Sequence, residues 1–203
     1  FVSLNISRRQ LLQADLIPTI HTALAEFRCS PDRILLEIAE ELTGPELPRL
    51  RDTLANLQQL GVRLAVDNFG TSASSLQELR RGPFSVLKID RRFVRGVPAH
   101  EENAGIVLSA LTLGHHLGRI TGAGGIETEA EKAWLSKTGC RFAQGNLLAG
   151  PLPAEHVSEI VSRHTGFEKL VAAFLLAIKR EYVGKHEQHA ALIRNARSYA
   201  REI

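Results

Sequence analysis

The sequence predicts an α/β protein, a TIM-like (β/α) barrel of which six strands lie in this chain. Short apolar segments rich in β-branched residues alternate with amphipathic helical patterns along residues 1–165. Such alternation is typical of parallel strands joined by helices. A polar or charged residue also lies at or just after the end of every predicted strand. In a (β/α) barrel these residues meet at one mouth, which favours the barrel.

An open doubly wound sheet is the competing fold. It would gather its polar residues at one crossover, beside a glycine-rich phosphate loop. The segment 122–125 reads Gly-Ala-Gly-Gly and only faintly resembles such a loop, and no helix with a downstream acidic partner follows in the right frame. The barrel therefore remains the prediction.

The six predicted strands are spaced so that a helix fits between most neighbours. The strands cover residues 1–6, 34–38, 62–67, 85–89, 119–123 and 141–143. Apolar residues from Leu11 to Phe27 follow the spacing of one helix face. Helices are also predicted over 46–60 and 104–117, because Gly61 and Gly118 follow as stop residues.

Two further strands are expected upstream of Phe1. A closed barrel of this kind has eight strands. The chain contains no methionine and opens on an apolar segment that already has a strand pattern. We therefore expect the barrel domain, residues 1–165, to be incomplete at its N-terminus.

Residues 166–203 are predicted to form a separate C-terminal helical extension. Their apolar residues mark one helix face as far as Ile178, and a weaker face continues after Gly184. The segment carries a formal charge of +3, which is the whole excess of the chain. The helices either cover apolar barrel surface or contact a protein partner or a second copy of the chain.

Composition excludes several classes of protein. Hydrophobic residues make up 44% of the 203 residues and charged residues 23%, so global disorder is excluded. The two cysteines, Cys29 and Cys140, are too few for a disulfide scaffold, and no apolar run approaches the ~20 residues of a membrane span. A neutral main domain argues against nucleic-acid binding. With no export signal visible, we expect a cytoplasmic location.

The side chains expected at the barrel mouth suit a divalent cation. Asn5, Glu37 and Asp67 lie at the ends of the first three strands, and carboxylate and amide oxygens are preferred by Mg²⁺, Mn²⁺ and Ca²⁺. Lys88 would orient a metal-bound water or offset the charge of a phosphate. The alternative is that strand-ending Asp and Asn residues only start turns, an explanation that weakens when six strand ends agree.

Six motifs along residues 1–160 resemble, in order, those of one bacterial family. They are LNIS at 4–7, LEIAE at 36–40, VDNFGTSASSL at 66–76, LKID at 87–90, AGGIET at 123–128 and the pair Gln144-Gly145 after Cys140. Together they resemble the EAL domain, the cyclic di-GMP phosphodiesterase family. On these motifs the chain is identified as a degenerate, N-terminally truncated member.

The resemblance implies a cleft for cyclic di-GMP at the mouth. Active members of the family use two Mg²⁺ or Mn²⁺ ions to hydrolyse one phosphodiester linkage and release linear pGpG. Carried over by position, Asn5, Glu37 and Asp67 would bind the first ion, Lys88 would contact catalytic water, and Glu40 would anchor the loop after Asp67. The rest of the mouth would comprise Glu127, with a residual catalytic role, and the substrate-binding residues Asp90 and Gln144.

The chain departs from the family pattern at the site that the resemblance implies. The Glu-Ala-Leu segment, with its metal-binding Glu, would precede Phe1. Asn68 replaces the second Asp of the family's Asp-Asp pair. Gly124 replaces the first Glu of Ala-Glu-Gly-Val-Glu, which family members use to bind metal and activate water. Smaller changes are Ala39 for Thr, Ser72 for Gly and Ala73 for Tyr.

These losses predict a domain without catalysis. Loss of a general base typically removes ~10²–10⁴ in rate, and a lower ligand charge weakens the binding of hard cations. We expect a non-catalytic domain in cyclic di-GMP signalling that acts as a cyclic di-GMP receptor or a protein-interaction module, with Mg²⁺, Mn²⁺ or no metal. The alternative is a weak metal-dependent phosphodiesterase that gives pGpG.

Overall fold

The computed structural model describes residues 1–43, 47–72 and 76–149, together with the backbone of residues 201–202. The helical extension predicted over 166–203 lies outside the described residues, apart from 201–202. Within the described part of the chain, no helix is both long enough and apolar enough to cross a membrane.

The strands form a single sheet in which each strand is hydrogen-bonded to the next one in the sequence. The first six strands are parallel, and the seventh pairs antiparallel with the sixth. The strands are β1 Val2–Ile6, β2 Ile34–Ala39, β3 Arg63–Phe69, β4 Val86–Ile89, β5 Ile120–Gly124, β6 Phe142–Gln144 and β7 Arg201–Glu202. All six predicted strands are present with bounds within two residues of those expected, and the predicted parallel (β/α) barrel class is confirmed.

Helices occupy most of the crossovers between parallel strands. They are α1 Arg8–Leu11, α2 Leu16–Glu26, α3 Leu47–Gln59, α4 Leu76–Arg81, α5 Arg91–Val94, α6 Glu101–His116 and α7 Glu129–Lys137, with short 3₁₀ turns at Pro31–Arg33 and Glu40–Thr43. Helix α6 begins three residues before the predicted start, at Glu101. Its first turn contains Glu101 and Glu102, whose charges favour the positive end of the helix dipole.

Alternation along the strands gives the sheet two distinct faces. Residues such as Leu36, Leu64 and Leu87 pack with the helices in the main core. The opposite, inner face carries a second apolar cluster, which we call the floor: Leu35, Ala65, Val86 and Phe142, with Phe1 packed against them. Because successive side chains point to opposite faces of a strand, residues two positions after the floor lie on the inner face at the carboxyl ends of the strands.

The floor is closed by aromatic packing. A side chain at Gly122 would overlap the ring of Phe142, so only glycine lets that ring lie across β5. The Phe1 ring meets Phe142 edge-on with 5.8 Å between centroids, and the Arg63 guanidinium lies 5.4 Å from the centre of the Phe1 ring. The inner face is therefore lined by apolar side chains below the polar residues that follow.

Candidate functional site

A polar layer lies immediately above the floor on the inner face. Alternation along the strands places six residues in this polar layer: Asn5, Glu37, Asp67, Lys88, Gly124 and Gln144. Asn5 is in register with Glu37 on the neighbouring strand, and Gly124 is in register with Gln144. The predicted metal residues and Lys88 therefore share one face and one end of adjacent strands.

A buried ion pair between Glu37 and Lys88 lies at the centre of this layer. The Nζ of Lys88 is 2.8 Å from Oε2 and 2.9 Å from Oε1 of Glu37, and the two residues are only 3% and 7% exposed. Ser3 donates a further hydrogen bond from its Oγ to Glu37. The Oδ1 of Asp67 lies 3.6 Å from the same Nζ, so one ammonium is shared by two carboxylates.

The electrostatic balance at Glu37 depends on a neighbouring cation. Burial raises the pKa of Glu37; Lys88 opposes that rise and the Asp67 carboxylate adds to it, with a raised pKa as the net result. A buried carboxylate with a like charge beside it is ionised at low cost only when a cation is close. Lys88 supplies that cation here, and a divalent ion would satisfy the same requirement.

The donor set fits a hard divalent cation in its chemistry. Glu37 and Asp67 contribute carboxylates and Asn5 an amide oxygen from three neighbouring strands. Among the described residues, no group of three Asp, Glu, His or Cys side chains is placed to hold a metal ion, so a third protein ligand would have to be a side chain of another type, such as the amide of Asn5. These are the residues that would bind Mg²⁺ or Mn²⁺, with Lys88 beside the ion.

Glu40 holds the loop that follows β3. Its Oε2 accepts hydrogen bonds from three consecutive backbone N–H groups: Gly70 at 3.1 Å, Thr71 at 2.8 Å and Ser72 at 2.8 Å. Glu40 is almost fully buried. A carboxylate bonded to successive amides fixes the path of a loop. This arrangement corresponds to the anchoring role that the family resemblance implies for this residue.

Asn68 occupies a left-handed backbone conformation with φ +58°. Asn is one of the few non-glycine residues that adopt this region readily. Gly70 follows with φ +98°, and a Cβ there would lie 2.9 Å from the Phe93 ring. The amide that replaces the family's second acid therefore lies near the end of β3, where the pairing with β4 shifts register between Val66 and Phe69.

Gly124 lies beside Lys88 in a position that would accept a side chain. A Cβ built there would lie 3.6 Å from the carbonyl oxygen of Ile89 and 3.7 Å from Cε of Lys88, which are ordinary contact distances. By contrast, Gly125 has φ +75° and its Cβ would overlap Arg91. The backbone thus requires glycine at 125 and leaves room for a side chain at 124.

The three remaining predicted residues differ in their surroundings. Asp90 is buried and caps α5, because its Oδ1 accepts from the backbone N–H of Arg92 at 2.8 Å and from Nε of Arg92 at 2.9 Å. Glu127 is exposed just after β5. Gln144 is half-buried at the end of β6, and its backbone carbonyl accepts a hydrogen bond from the backbone N–H of Ile126 at 3.0 Å.

Two polar residues of this region were missed by the sequence reasoning. Ser3 is buried on the inner face, and its position two residues before Asn5 on the same strand is a signal that alternation could have supplied. Glu131 is buried against the loops that follow β4 and β5. The spacing from Thr128 to Glu131 is that of a helix capping box, which could have identified it.

Comparison with known proteins gives one consistent relationship. The profile of the EAL domain matches residues 1–151. The signalling protein YkoW of Bacillus subtilis (strain 168) is 34% identical over 160 residues, which cover 79% of this chain and 20% of that protein. The bifunctional diguanylate cyclase/cyclic di-GMP phosphodiesterase MucR of Pseudomonas aeruginosa is 35% identical over 156 residues, 77% of this chain and 23% of that protein.

Solved structures show the same relationship. The MucR phosphodiesterase in complex with c-di-GMP superposes with a TM-score of 0.72 at 35% identity, covering 76% of this chain and 63% of that one. The EAL domain of Mycobacterium smegmatis DcpA gives a TM-score of 0.74 at 31% identity, covering 79% and 72%. The chain spans about a fifth of the length of the curated relatives it matches. With the profile matching about three quarters of its residues, the chain belongs to the EAL domain family.

Proposed function

We propose that this chain is a non-catalytic EAL domain that acts as a receptor for cyclic di-GMP in the cytoplasm. Family membership and the similarity to a phosphodiesterase solved with c-di-GMP support the choice of nucleotide. The retained Lys88, Asp90 and Gln144 support contact with it, because an ammonium, a carboxylate and an amide suit phosphate and guanine groups.

The observation that carries the proposal is the surroundings of Gly124. Gly122 and Gly125 are required by packing, since side chains there would overlap Phe142 and Arg91. Packing does not require glycine at position 124, where an added Cβ would lie at ordinary contact distances from its neighbours. The β-carbon of the acid that active family members have at this position would therefore fit without a steric overlap. The absence of that acid removes water activation while the strand and the rest of the mouth are kept.

The second departure from the family pattern, Asn68 in place of an acid, also favours a domain without catalysis. Asn68 in place of an acid leaves two carboxylates, Glu37 and Asp67, among the described residues of the polar layer. Both share the ammonium of Lys88. Affinity for hard cations falls with the charge of the ligand set, so the proposal includes weak metal binding and nucleotide binding that does not require metal.

A weak phosphodiesterase that gives pGpG is the second candidate. It is favoured by the retention of Glu37, Asp67 and Lys88 in one cluster, which is the core of a metal-assisted hydrolytic site. The two candidates make different predictions about turnover and the same prediction about binding.

The experiment uses the intact protein that carries this chain. Calorimetric titration with cyclic di-GMP, in EDTA and then in Mn²⁺ or Mg²⁺, is expected to show binding in both conditions. Incubation with Mn²⁺ is expected to give no pGpG above background by chromatography. Product at ordinary turnover that Asp67→Ala abolishes would contradict the non-catalytic proposal, and absence of binding in every condition would favour a protein-interaction module.

A gain-of-function variant tests the role of Gly124 directly. In Asn68→Asp/Gly124→Glu, hydrolysis is expected to rise by ~10²–10⁴, the usual contribution of a general acid or base. The matched control is Asn68→Asp/Gly124→Gln, which has the same size at position 124 without the carboxylate and is expected to stay at background. Equal rates in the two variants would show that the missing acid does not explain the loss of catalysis.

A further inference from the structure

Glu131 is a buried carboxylate that no part of the proposed function uses. It is 3% exposed and lies in the first turn of α7. We infer that Glu131 is a positioning residue of the nucleotide site, fastening the loop after β4 to the loop after β5. The inference rests on the proposed function, because these loops contain Asp90 and Glu127.

The carboxylate reaches both loops with its two oxygens. Oε1 accepts from the backbone N–H of Gly96, two residues after α5, at 2.8 Å. Oε2 accepts from the backbone N–H of Glu127 at 2.8 Å and of Thr128 at 2.9 Å. One side chain thus holds two segments that are about thirty residues apart in the sequence.

The segment on the β4 side is a continuous hydrogen-bonded unit from Asp90 to Gly96. The Asp90 side chain caps α5, and Arg95 N donates to the carbonyl of Arg91 at 3.0 Å. Fixing Gly96 therefore fixes the end of a short helix whose first residue follows Asp90. A single turn of helix is marginal by itself, so its position depends on such tertiary contacts.

The loops after β4 and β5 also contact each other directly, through Arg91 and Gly125. Gly125 packs so closely on Arg91, at the start of α5, that any side chain there would overlap it. Helix α5 is consequently held against the β5 loop at both ends, at Arg91 by close packing and at Gly96 by Glu131. The exposed side chain of Glu127 projects from the part of the loop whose N–H is bonded to Glu131.

The chemistry of this contact requires an ionised carboxylate. Burial opposes the charge of Glu131, yet the hydrogen bonds from Gly96, Glu127 and Thr128 outweigh it and lower the pKa of the side chain. Each bond between an N–H and a carboxylate is charge-assisted and stronger than a neutral one. An amide accepts with one atom only, so glutamine at this position would hold one loop and present an N–H to the other.

Glu131 also has a local role, because it helps to cap α7, and the experiment must separate this role from the contact between the two loops. Thr128 and Glu131 form a capping box, in which Thr128 Oγ1 accepts from the N–H of Glu131 at 3.2 Å. Thr128→Ala removes this hydroxyl and typically costs ~1 kcal/mol of helix stability. It leaves the carboxylate and all three backbone donors in place, so it is the matched control.

The test compares Glu131→Gln and Thr128→Ala in the intact protein by cyclic di-GMP titration and by backbone amide hydrogen exchange. Glu131→Gln is expected to raise the Kd at least about tenfold, while Thr128→Ala changes it less than about twofold. In hydrogen exchange, the amide on one of the two loops, either Gly96 or Glu127, is expected to lose protection in Glu131→Gln, while both are expected to keep it in Thr128→Ala.

Each result decides the matter. Unchanged affinity or unchanged protection in Glu131→Gln would overturn the inference, as would equal loss of affinity in the two variants at equal loss of stability. If the unmodified protein binds no cyclic di-GMP, the proposed function fails by itself. The exchange data then still show whether Glu131 holds the two loops, since that measurement needs no nucleotide.

Discussion

Replacing Lys88 by methionine removes the ammonium that two carboxylates share at the barrel mouth. The new side chain has a similar length and no charge. Among the described residues, Glu37 would keep only the hydrogen bond from Ser3, and the carboxylate of Asp67 would remain beside it without the Lys88 cation. Breaking a buried pair by removing one partner costs about 3–5 kcal/mol, because the other charge stays buried and unpaired. We expect Lys88→Met to lower the free energy of unfolding by that amount.

A double-mutant cycle separates the pair from the packing. Glu37→Gln alone leaves Lys88 with Asp67, 3.6 Å away, so its cost is expected to be smaller. In Glu37→Gln/Lys88→Met the buried charges are both gone, and the cost is expected to be less than the sum of the single changes. A coupling of about 1–3 kcal/mol is usual for residues in direct contact. Urea unfolding in EDTA, followed by the fluorescence of Trp134, the single tryptophan, measures all three variants.

An exposed pair supplies the matched control for this experiment. Lys132 lies 3.3 Å from Glu129, and the two side chains are 41% and 73% exposed. Lys132→Met makes the same chemical change in water and is expected to cost less than about 0.5 kcal/mol. If Lys88→Met costs no more than Lys132→Met, the ion pair at the mouth does not stabilise the fold and the reasoning is wrong.

Two further changes follow from the buried carboxylates. Glu40→Ala leaves the N–H groups of Gly70, Thr71 and Ser72 without their acceptor. We expect the free energy of unfolding to fall by about 1–3 kcal/mol and the amides of residues 70–72 to exchange faster. Unchanged exchange would contradict the anchoring role. The pKa of Glu131 is lowered in the folded state, so its contribution to stability is present above the unfolded value of about 4.3 and is lost as pH falls through the folded value. The urea midpoint of the unmodified protein should therefore fall between pH 5 and pH 3 more steeply than that of Glu131→Gln, and parallel curves would refute this.

The strands could be predicted because buried parallel strands have a simple pattern. Segments such as 34–38 and 86–89 are continuously apolar until a charged residue near the carboxyl end. The position of that residue on the inner face follows from the two-residue period of a strand. Glu37 and Lys88 could thus be assigned to one mouth although they lie 51 residues apart in the sequence.

What the sequence could not supply is the pairing between side chains from different strands. The contact of Lys88 with both oxygens of Glu37 depends on the curl and register of β2, β3 and β4. The N-cap role of Asp90 depends on a helix of only four residues, α5, too short to have a period. The capping-box spacing of Thr128 and Glu131 could have indicated the local role of Glu131, but its contact with Gly96 could not be predicted, because a backbone N–H on a distant loop has no signature in the sequence.

The charge of the polar layer explains why a receptor and an enzyme can share one scaffold. Glu37, Asp67 and Lys88 together carry a formal charge of −1, and the two acids replaced by Asn68 and Gly124 would make that −3. A mouth with the larger negative charge attracts divalent cations and repels a phosphodiester unless those cations are bound. With Asn68 and Gly124, the mouth repels the nucleotide less and attracts the metal less. On the proposed function, the same two substitutions that would remove the chemistry therefore also favour binding of an anionic ligand without metal.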